Sequence, residues 1–363
     1  MWGDSRSVYR SRRRHGWLLS LPAVLLAAVL LLGLWLFFYL QRFLVYEKEG
    51  LRLRLPDEQA EGLDAALEPE GPAASFSPVE VEIVVDKTDF SAIPAAERGE
   101  TRPVRARFLP ASGLSQARLE GLTVGMGDYD ALILELKPAS GLLSYQSFLP
   151  IADSYSVNGS LSIGDAAEKL KARDVYLIAR LSALVDGAMA TRYTTVSLRN
   201  QSGSGVFLQN GRAWLDPFHA VTRDYLADLM HELKELGFDE ILFDGLSLPS
   251  STALSYSSDM SAVPDPVTAV SSLALFLRQE ADALGIRVSV QVESEALLHL
   301  QSAMVGQDLE LFFKLFDRVA FSVGSGNVNA ALSALRAVPG EDDARLLPLT
   351  DAAVPGLESW ALR

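Results

Sequence analysis

Residues 237–249 read Gly-Phe-Asp-Glu-Ile-Leu-Phe-Asp-Gly-Leu-Ser-Leu-Pro, and this stretch decides the fold. Just before it, residues 225–236 place apolar side chains at helical spacing, and Gly237 suits the left-handed position that ends a helix. The run Glu240–Phe243 then predicts a short buried strand, followed directly by Asp244. The order helix, glycine, strand, carboxylate and loop is typical of a βα-barrel, whose chemistry lies at the carboxyl ends of its strands.

Apolar runs alternate with amphipathic stretches from Val79 onward. Strands are predicted at Val104–Leu109, Ala131–Leu136, Val175–Leu181, Glu240–Phe243, Arg287–Val292, Arg318–Val323 and Arg345–Leu349. Helices are predicted at Ile163–Arg173, His219–Leu236, Val267–Leu284, Glu295–Phe316 and Val328–Val338. Strands that are apolar on both faces and alternate with helices indicate a parallel sheet covered by helices. The expected fold class is α/β, a (β/α)8 TIM-like barrel.

The predicted strands are one short of the eight in a TIM barrel. Two explanations remain open: Val81–Val85 supplies the missing strand, or the barrel is incomplete. A doubly wound sheet is the alternative architecture, but no Gly-rich phosphate turn marks a switch point for it.

A long apolar segment lies near the beginning of the chain. Trp17–Leu40 carries no charged residue and is long enough to cross a hydrocarbon core of about 30 Å as a helix. A cleaved signal peptide is the competing interpretation, but its apolar core would be about 7–15 residues long. We therefore expect an uncleaved signal-anchor. Because five arginines precede it within residues 1–16 and positive flanks stay inside, that tail is predicted to be cytoplasmic and the rest extracellular.

The next segment, residues 41–78, is predicted to be an extracellular linker. From Glu47 onward it is rich in Glu, Ala, Pro and Gly, a composition that keeps a chain extended. Within it, Leu51–Leu55 alternates and predicts a short strand. Residues 79–363 are then expected to form the barrel domain.

Composition limits the partners and the chemistry. Residues 1–16 carry +4 of a total net charge of −14, which leaves −18 on residues 17–363. Such an acidic chain is a poor ligand for nucleic acid or anionic lipid. The absence of cysteine excludes disulfides and thiolate metal sites. The four histidines show no ligand spacing, so the sequence indicates neither a metal site nor a cofactor.

Four ordered blocks in the middle of the chain resemble a bacterial family of predicted glycoside hydrolases with a TIM-barrel fold. The blocks are Ala131–Tyr145, Val175–Asp186, Ala213–Pro217 and Gly237–Asp244, with weaker similarity in Val288–Gln307. The resemblance implies that the chain is a divergent, membrane-anchored member that acts on an envelope or extracellular polysaccharide, such as the glycan of peptidoglycan.

The chain also departs from the family pattern at its strand ends. Where the family typically has Asp-Val-Lys-Asp, this chain has Glu135-Leu-Lys137-Pro138. Gly245 and Ser247 stand where an aromatic residue and an arginine are expected, and residues 320–326 lack the family's aromatics and histidine. These replacements favour a barrel that has kept its fold and lost turnover.

Hydrolysis of a glycosidic bond usually needs two carboxyl groups, about 5 Å apart for retention and about 6.5–9.5 Å apart for inversion. Asp244, Glu135 and Glu293 are the candidates, because each lies near the predicted end of a strand. Asp244 and Glu135 are the predicted catalytic pair, and Glu293 is predicted to bind substrate. The structural alternatives are a turn cap for Asp244, an ion pair with Lys137 for Glu135, and a helix-start acid for Glu293.

Three further side chains are predicted to bind substrate: Lys137, Arg180 and Trp214. Arg180, on the third strand, would need a carboxylate partner such as Asp244 or Glu135, and an internal ion pair is its structural alternative. Trp214 is predicted to be a platform for a sugar ring or a lid over the barrel. Asp216, which precedes Pro217, is predicted to cap the following helix.

Two functions of different classes therefore remain. The first is a membrane-tethered hydrolase that uses Asp244 and Glu135. The second is a catalytically inactive barrel that binds glycan or serves as an envelope scaffold. The retained charged residues favour the first, and the replacements at Gly245 and Ser247 favour the second.

Overall fold

The computed structural model describes residues 44–47, 50–53, 85–86, 89–97, 99–251, 253–258 and 263–363. The chain divides into two compact units, residues 1–80 and 81–363. In the first unit, Leu44–Glu47 pairs antiparallel with Gly50–Leu53, and the second of these strands overlaps the predicted strand at 51–55. The predicted anchor at Trp17–Leu40 lies outside the described residues. Among the residues that are described, no helix is long and apolar enough to cross a membrane.

The second unit contains a closed barrel of eight parallel strands. They are β1 (Arg105–Leu109), β2 (Ala131–Lys137), β3 (Tyr176–Ser182), β4 (Glu240–Asp244), β5 (Arg287–Val292), β6 (Val319–Ser322), β7 (Leu346–Thr350) and β8 (Trp360–Leu362). Each strand pairs with the next in the chain, and β8 closes the ring by pairing with β1. The predicted TIM-like barrel is therefore confirmed and complete.

Helices and short strand pairs surround the barrel. The helices are α1 (Gln116–Val124), α2 (Pro150–Ser154), α3 (Gly164–Lys171), α4 (Gly187–Arg192), α5 (Ala220–Glu235), α6 (Pro266–Leu284), α7 (Ser294–Leu298), α8 (Leu309–Leu315) and α9 (Val328–Arg336). Short pairs join Arg199–Asn200 with Leu254–Ser255, Leu208–Gln209 with Arg212–Ala213, and Val85–Asp86 with Val263–Pro264.

The inside of the barrel follows from the two-residue period of its strands. One set of alternating positions forms a small apolar cluster that includes Ala106, Ile133, Ile178, Leu242 and Ala320. The other set packs outward against the helices in a much larger cluster. Because the inward positions continue along each strand, the residues two places beyond Ile133, Ile178 and Leu242 lie at the carboxyl end of the interior.

The amino-terminal end of the interior is closed by a polar network. Arg318 and Glu240 are both fully buried and form an ion pair with a 3.1 Å Nε–Oε2 separation. Tyr176 and Ser289 donate to the same carboxylate, at 2.9 and 2.6 Å. Among the described residues, both charges are paired, so a buried polar network occupies the amino-terminal end of the interior.

Two predictions about the elements are wrong. The eighth strand is Trp360–Leu362 and not Val81–Val85; Val85–Asp86 pairs with Val263–Pro264 outside the barrel. The single helix predicted at Glu295–Phe316 is divided into α7, a 3₁₀ turn at Ser302–Val305, and α8. The backbone reverses hand between them at Leu300 (φ 56°) and Gly306 (φ 83°), and a side chain at Gly306 would collide with the Pro266 carbonyl.

Candidate active site at the carboxyl end of the barrel

Arg180 organises the carboxyl end of the barrel interior. Its guanidinium donates to the Glu135 carboxylate, to Asp244 Oδ2 at 2.6 Å and to Gln291 Oε1 at 3.1 Å. These residues come from β3, β2, β4 and β5, so four strands meet on one cation. The Phe108 ring packs 5.5 Å from the guanidinium carbon. The predicted need of Arg180 for a carboxylate partner is met twice.

The two predicted catalytic carboxylates differ in how fully the chain occupies them. Glu135 accepts from Arg180 with one oxygen and from the Ala111 backbone N–H with the other, at 2.8 Å. Asp244 accepts from Arg180 through Oδ2 alone. Their side chains keep 15% and 22% of their exposure. Within the described part of the chain, Asp244 Oδ1 is thus the oxygen that has no protein hydrogen bond.

Lys137 does not reach the interior site. The strand register shifts between Glu135 and Lys137, so a bulge turns the lysine away from the face that carries Glu135. Its ammonium forms an ion pair with Asp186 at 2.8 Å, both side chains being fully buried, and donates to the Ser182 carbonyl at 2.7 Å. The alternative Glu135–Lys137 ion pair is absent. A lysine without exposure serves the core and cannot contact a substrate in this conformation.

Glu293, which follows β5 directly, is the third carboxyl group at this end. Ser247, in the loop after β4, donates to its Oε1 at 2.9 Å. The Glu293 backbone N–H donates to Gln307 Oε1 at 2.9 Å, and Gln307 Nε2 donates to the Leu246 carbonyl at 3.1 Å. Gln307 is therefore a buried bridge between the ends of β4 and β5.

The environment of Glu293 favours its neutral form. Burial raises the pKa of its carboxyl group, and the negative charge of Asp244 raises it further. The hydrogen bond from Ser247 and the positive charges of Arg212 and Arg180 lower it, but the net pKa shift is upward. A carboxyl group whose pKa is raised beside a carboxylate is the arrangement that general acid catalysis needs.

Glu293 also borders an open cleft with a cavity volume of about 470 Å³. The cleft is lined by side chains from the loops after β3, β4 and β5. They include Gln209, Asn210, Arg212, Trp214, Ser247, Ser250, Glu293, Glu295, His299, Gln301 and Met304. Its volume suits a small number of sugar rings, and its position at the carboxyl ends of the strands is the usual one for a TIM barrel.

The predicted aromatic residue lies at the wall of this cleft. Trp214 is 5% exposed, and its ring packs 6.2 Å from that of Phe207. A ring so little exposed fits a fixed wall of the cavity better than an open platform.

Asp216 does not cap the helix as predicted. The cap of α5 is His219, whose ring nitrogen accepts from the Val221 N–H. Asp216 instead accepts from the Phe218 N–H and from Ser257 and Ser258. The helix begins later than the Asp-Pro pair suggests, and Asp216 ties two loops together.

Three residues of the site were not predicted from the sequence: Gln291, Ser247 and Gln307. Gln291 could have been predicted, because it lies two residues before Glu293 and therefore on the same inward-facing side of the strand. The contacts of Ser247 and Gln307 depend on how loops distant in the chain meet. No local pattern signals them.

A family model described as "putative glycosyl hydrolase domain" matches residues 116–323. No curated protein sequence matches the chain. Among solved structures, a hypothetical protein of Ruminiclostridium thermocellum has 20% identity, with 51% of this chain and 97% of that chain covered and a TM-score of 0.44.

Two further solved structures are similar at lower identity. Ega3 of Aspergillus fumigatus, in complex with galactosamine, has 11% identity, with 74% and 92% of the two chains covered and a TM-score of 0.43. The glycoside hydrolase domain of PelA from Pseudomonas aeruginosa has 16% identity, with 68% and 83% covered and a TM-score of 0.36.

Proposed function

The chain belongs to the putative glycosyl hydrolase domain family, and from this premise we propose that its barrel hydrolyses glycosidic bonds with two carboxyl groups. The observation that supports the proposal is that Glu135 and Asp244 both bind Arg180 at the carboxyl ends of their strands, while Glu293, near enough to Asp244 to feel its charge, follows the next strand and borders an open cleft. The substrate class is an envelope or extracellular polysaccharide.

In this proposal Glu293 is the general acid and Asp244 is the second carboxylate. Glu293 donates its proton to the glycosidic oxygen as the bond to the anomeric carbon breaks, and the Asp244 carboxylate faces the positive charge that develops on that carbon. Water supplies the hydroxyl group of the new reducing end and returns a proton to Glu293. Arg180 holds Asp244 through Oδ2, which leaves Oδ1 for the reaction.

The sequence predicts Glu135, and not Glu293, as the catalytic partner of Asp244. Both oxygens of Glu135 already accept hydrogen bonds from the chain, so its geometry suits a residue that holds Arg180. Variants separate the two assignments. The full-length protein in detergent is assayed on peptidoglycan and a panel of polysaccharides, together with Asp244→Asn, Glu293→Gln, Glu135→Gln and Ser250→Ala.

We expect Asp244→Asn and Glu293→Gln to lose activity by roughly 10²–10⁴-fold, as for removal of a general acid or base. Glu135→Gln should lose less, and Ser250→Ala, whose serine lines the cleft but bonds none of the three carboxyl groups, should lose least. If Glu135→Gln abolishes turnover while Glu293→Gln retains it, Glu135 is the partner of Asp244.

A glycan-binding module without turnover is the second candidate. It is favoured by the guanidinium of Arg180, which forms ion pairs with both Glu135 and Asp244. Under this alternative the wild-type protein binds glycan, hydrolyses none of the panel, and binds equally well after Asp244→Asn.

We also propose that Trp17–Leu40 anchors the chain in the cell membrane, with the amino terminus cytoplasmic and the barrel extracellular. The uncharged run and the arginines before it support this orientation. Since the chain has no cysteine, Ser7→Cys and Ser77→Cys can each report topology without background. An impermeant maleimide should label Ser77→Cys on intact cells and Ser7→Cys only after permeabilisation. Labelling of both on intact cells would contradict the orientation.

A further inference from the structure

A β-hairpin with a two-residue turn, together with the residue that follows it, presents three side chains to the cleft. Leu208–Gln209 pairs with Arg212–Ala213 across Asn210-Gly211, and both turn residues have positive φ, at 52° and 73°. This is the backbone of a tight Asn-Gly turn, whose geometry matches the twist of the strands it joins. The hairpin is therefore a defined platform on the rim of the cleft.

The register of the hairpin decides which side chains face the cleft. Gln209 and Arg212 are cross-strand partners, so they share one face, and Trp214 lies on that face two residues further along. All three line the cavity, whereas Leu208 and Ala213 do not. Pairing and cavity lining, two separate observations, thus identify the same face.

Arg212 contributes an unmatched positive charge to this face. Its side chain is exposed, and within residues 99–251 and 263–363 it forms neither an ion pair nor a side-chain hydrogen bond. The planar guanidinium binds a carboxylate with two parallel hydrogen bonds.

We propose that the face formed by Gln209, Arg212 and Trp214 is a sugar subsite that selects a carboxylate-bearing sugar, a uronic acid, through Arg212. A singly charged group fits this position better than a phosphate, because one arginine balances one negative charge, while Glu295 lines the cleft and Asp244 lies near Glu293. Gln209 and Asn210 supply neutral groups for the ring hydroxyls.

The subsite lies beside the catalytic residues of the proposed function and rests on that function for its role in substrate choice. Arg212 is close enough to Glu293 to lower the pKa of its carboxyl group. A uronic acid bound at Arg212 would therefore occupy a ring next to the bond that Glu293 protonates.

The binding test uses full-length protein in detergent, with Glu293→Gln in every sample so that no ligand is consumed. Dissociation constants are measured by calorimetry for tetragalacturonate, tetramannuronate and tetraglucuronate, each beside its carboxyl-reduced counterpart. A phosphorylated tetrasaccharide is included. The variants are Arg212→Gln, and as a matched control Arg118→Gln, an exposed arginine on α1 that does not line the cleft.

We expect at least one uronate to bind about tenfold or more tightly than its reduced counterpart, and Arg212→Gln to remove that preference. Arg118→Gln should preserve it. The proposal is overturned by preference for the reduced or the phosphorylated ligand, by preference that survives Arg212→Gln, or by the absence of uronate binding.

The two proposals fail in different ways. Selective uronate binding without hydrolysis by the wild-type protein would uphold the subsite and reject the enzyme. Hydrolysis of neutral glycans that is indifferent to Arg212→Gln would reject the subsite and uphold the enzyme.

Discussion

The hydrogen bond from Ser247 to Glu293 is one of the contacts that determine the pKa of the Glu293 carboxyl group. Ser247 donates to Glu293 Oε1 and so stabilises the charged form, which lowers the pKa against the larger effects of burial and Asp244. An acid catalyst works only while it is protonated, so activity declines as the pH rises through this pKa.

Ser247→Ala should raise the pKa of Glu293 further, because the charged form loses its donor. The basic limb of the kcat/KM profile is then expected to move to higher pH. Ser250→Ala, another serine of the cleft, provides the control, since it does not hydrogen-bond Glu293. A basic limb that stays in place, or moves to lower pH, would remove Glu293 from the role of acid.

The Lys137–Asp186 ion pair makes a residue-scale prediction about stability. Both side chains are fully buried, so Lys137→Met leaves an unpaired buried carboxylate and should cost about 3–5 kcal/mol of unfolding free energy. Lys171→Met, which removes a half-exposed ion pair with Asp239, should cost less than about 1 kcal/mol. Urea unfolding measures both, and equal losses would contradict the interpretation.

At the scale of elements, Gln307 joins two strand ends that carry proposed catalytic groups. Its side-chain amide donates to the Leu246 carbonyl and accepts from the Glu293 N–H. In the adjoining turn, the Val305 carbonyl accepts a hydrogen bond from the Leu248 N–H at 2.8 Å. The loop from Ser302 to Gln307 therefore links the backbone that follows Asp244 to the backbone of Glu293.

Gln307→Leu should lower kcat more than it raises KM, because it frees both strand ends without touching the cleft wall. It should also cost about 1–3 kcal/mol of stability, since two buried backbone groups lose their partners. Gln307→Glu keeps the acceptor for Glu293 N–H and should have a smaller effect on kcat. Ala303→Ser, at an exposed position of the same loop that does not line the cleft, is the control; an equal loss of kcat there would argue against a positioning role for Gln307.

The limits of sequence-based prediction are visible at this scale. The apolar pattern of residues 295–316 fits one helix, and the pattern is right for α7 and α8. The break arises from the left-handed backbone at Leu300 and from the close approach of Pro266, the first residue of α6, to Gly306. Contacts with distant segments override local periodicity, and the same loop carries Gln307.

At the scale of the whole molecule, closure of the barrel depends on a strand of three residues. Seven strands were predicted because their apolar runs are long enough to show a pattern. Trp360–Leu362 is too short for one, and only its pairing with β7 and β1 defines it. The carboxylate at the end of β4 was predicted because a barrel places chemistry there, and both carboxylate partners of Arg180 were named from the sequence. Its third partner, Gln291, required the three-dimensional register.

Deletion of residues 357–363 should open the barrel between β7 and β1 and expose two strand edges. Ser359, which contacts Arg318 and the Val104 N–H, is lost as well. The expected outcome is aggregation and loss of a single cooperative unfolding transition, measured by calorimetry and light scattering. Arg363→Ala, which leaves β8 intact, should unfold as the wild type does. A truncated chain that still melts cooperatively would show that β8 is dispensable.

The network of Arg318, Glu240, Tyr176 and Ser289 lies at the opposite pole of the barrel from the cleft. Its charges are satisfied among themselves and share no partner with Arg180 or Glu293. Substitutions in the rim loops therefore leave the lower half of the interior unaltered. Because of this division, evolution can exchange the hairpin at residues 208–213 for one that binds a different sugar, while the buried network at the other end keeps the barrel folded.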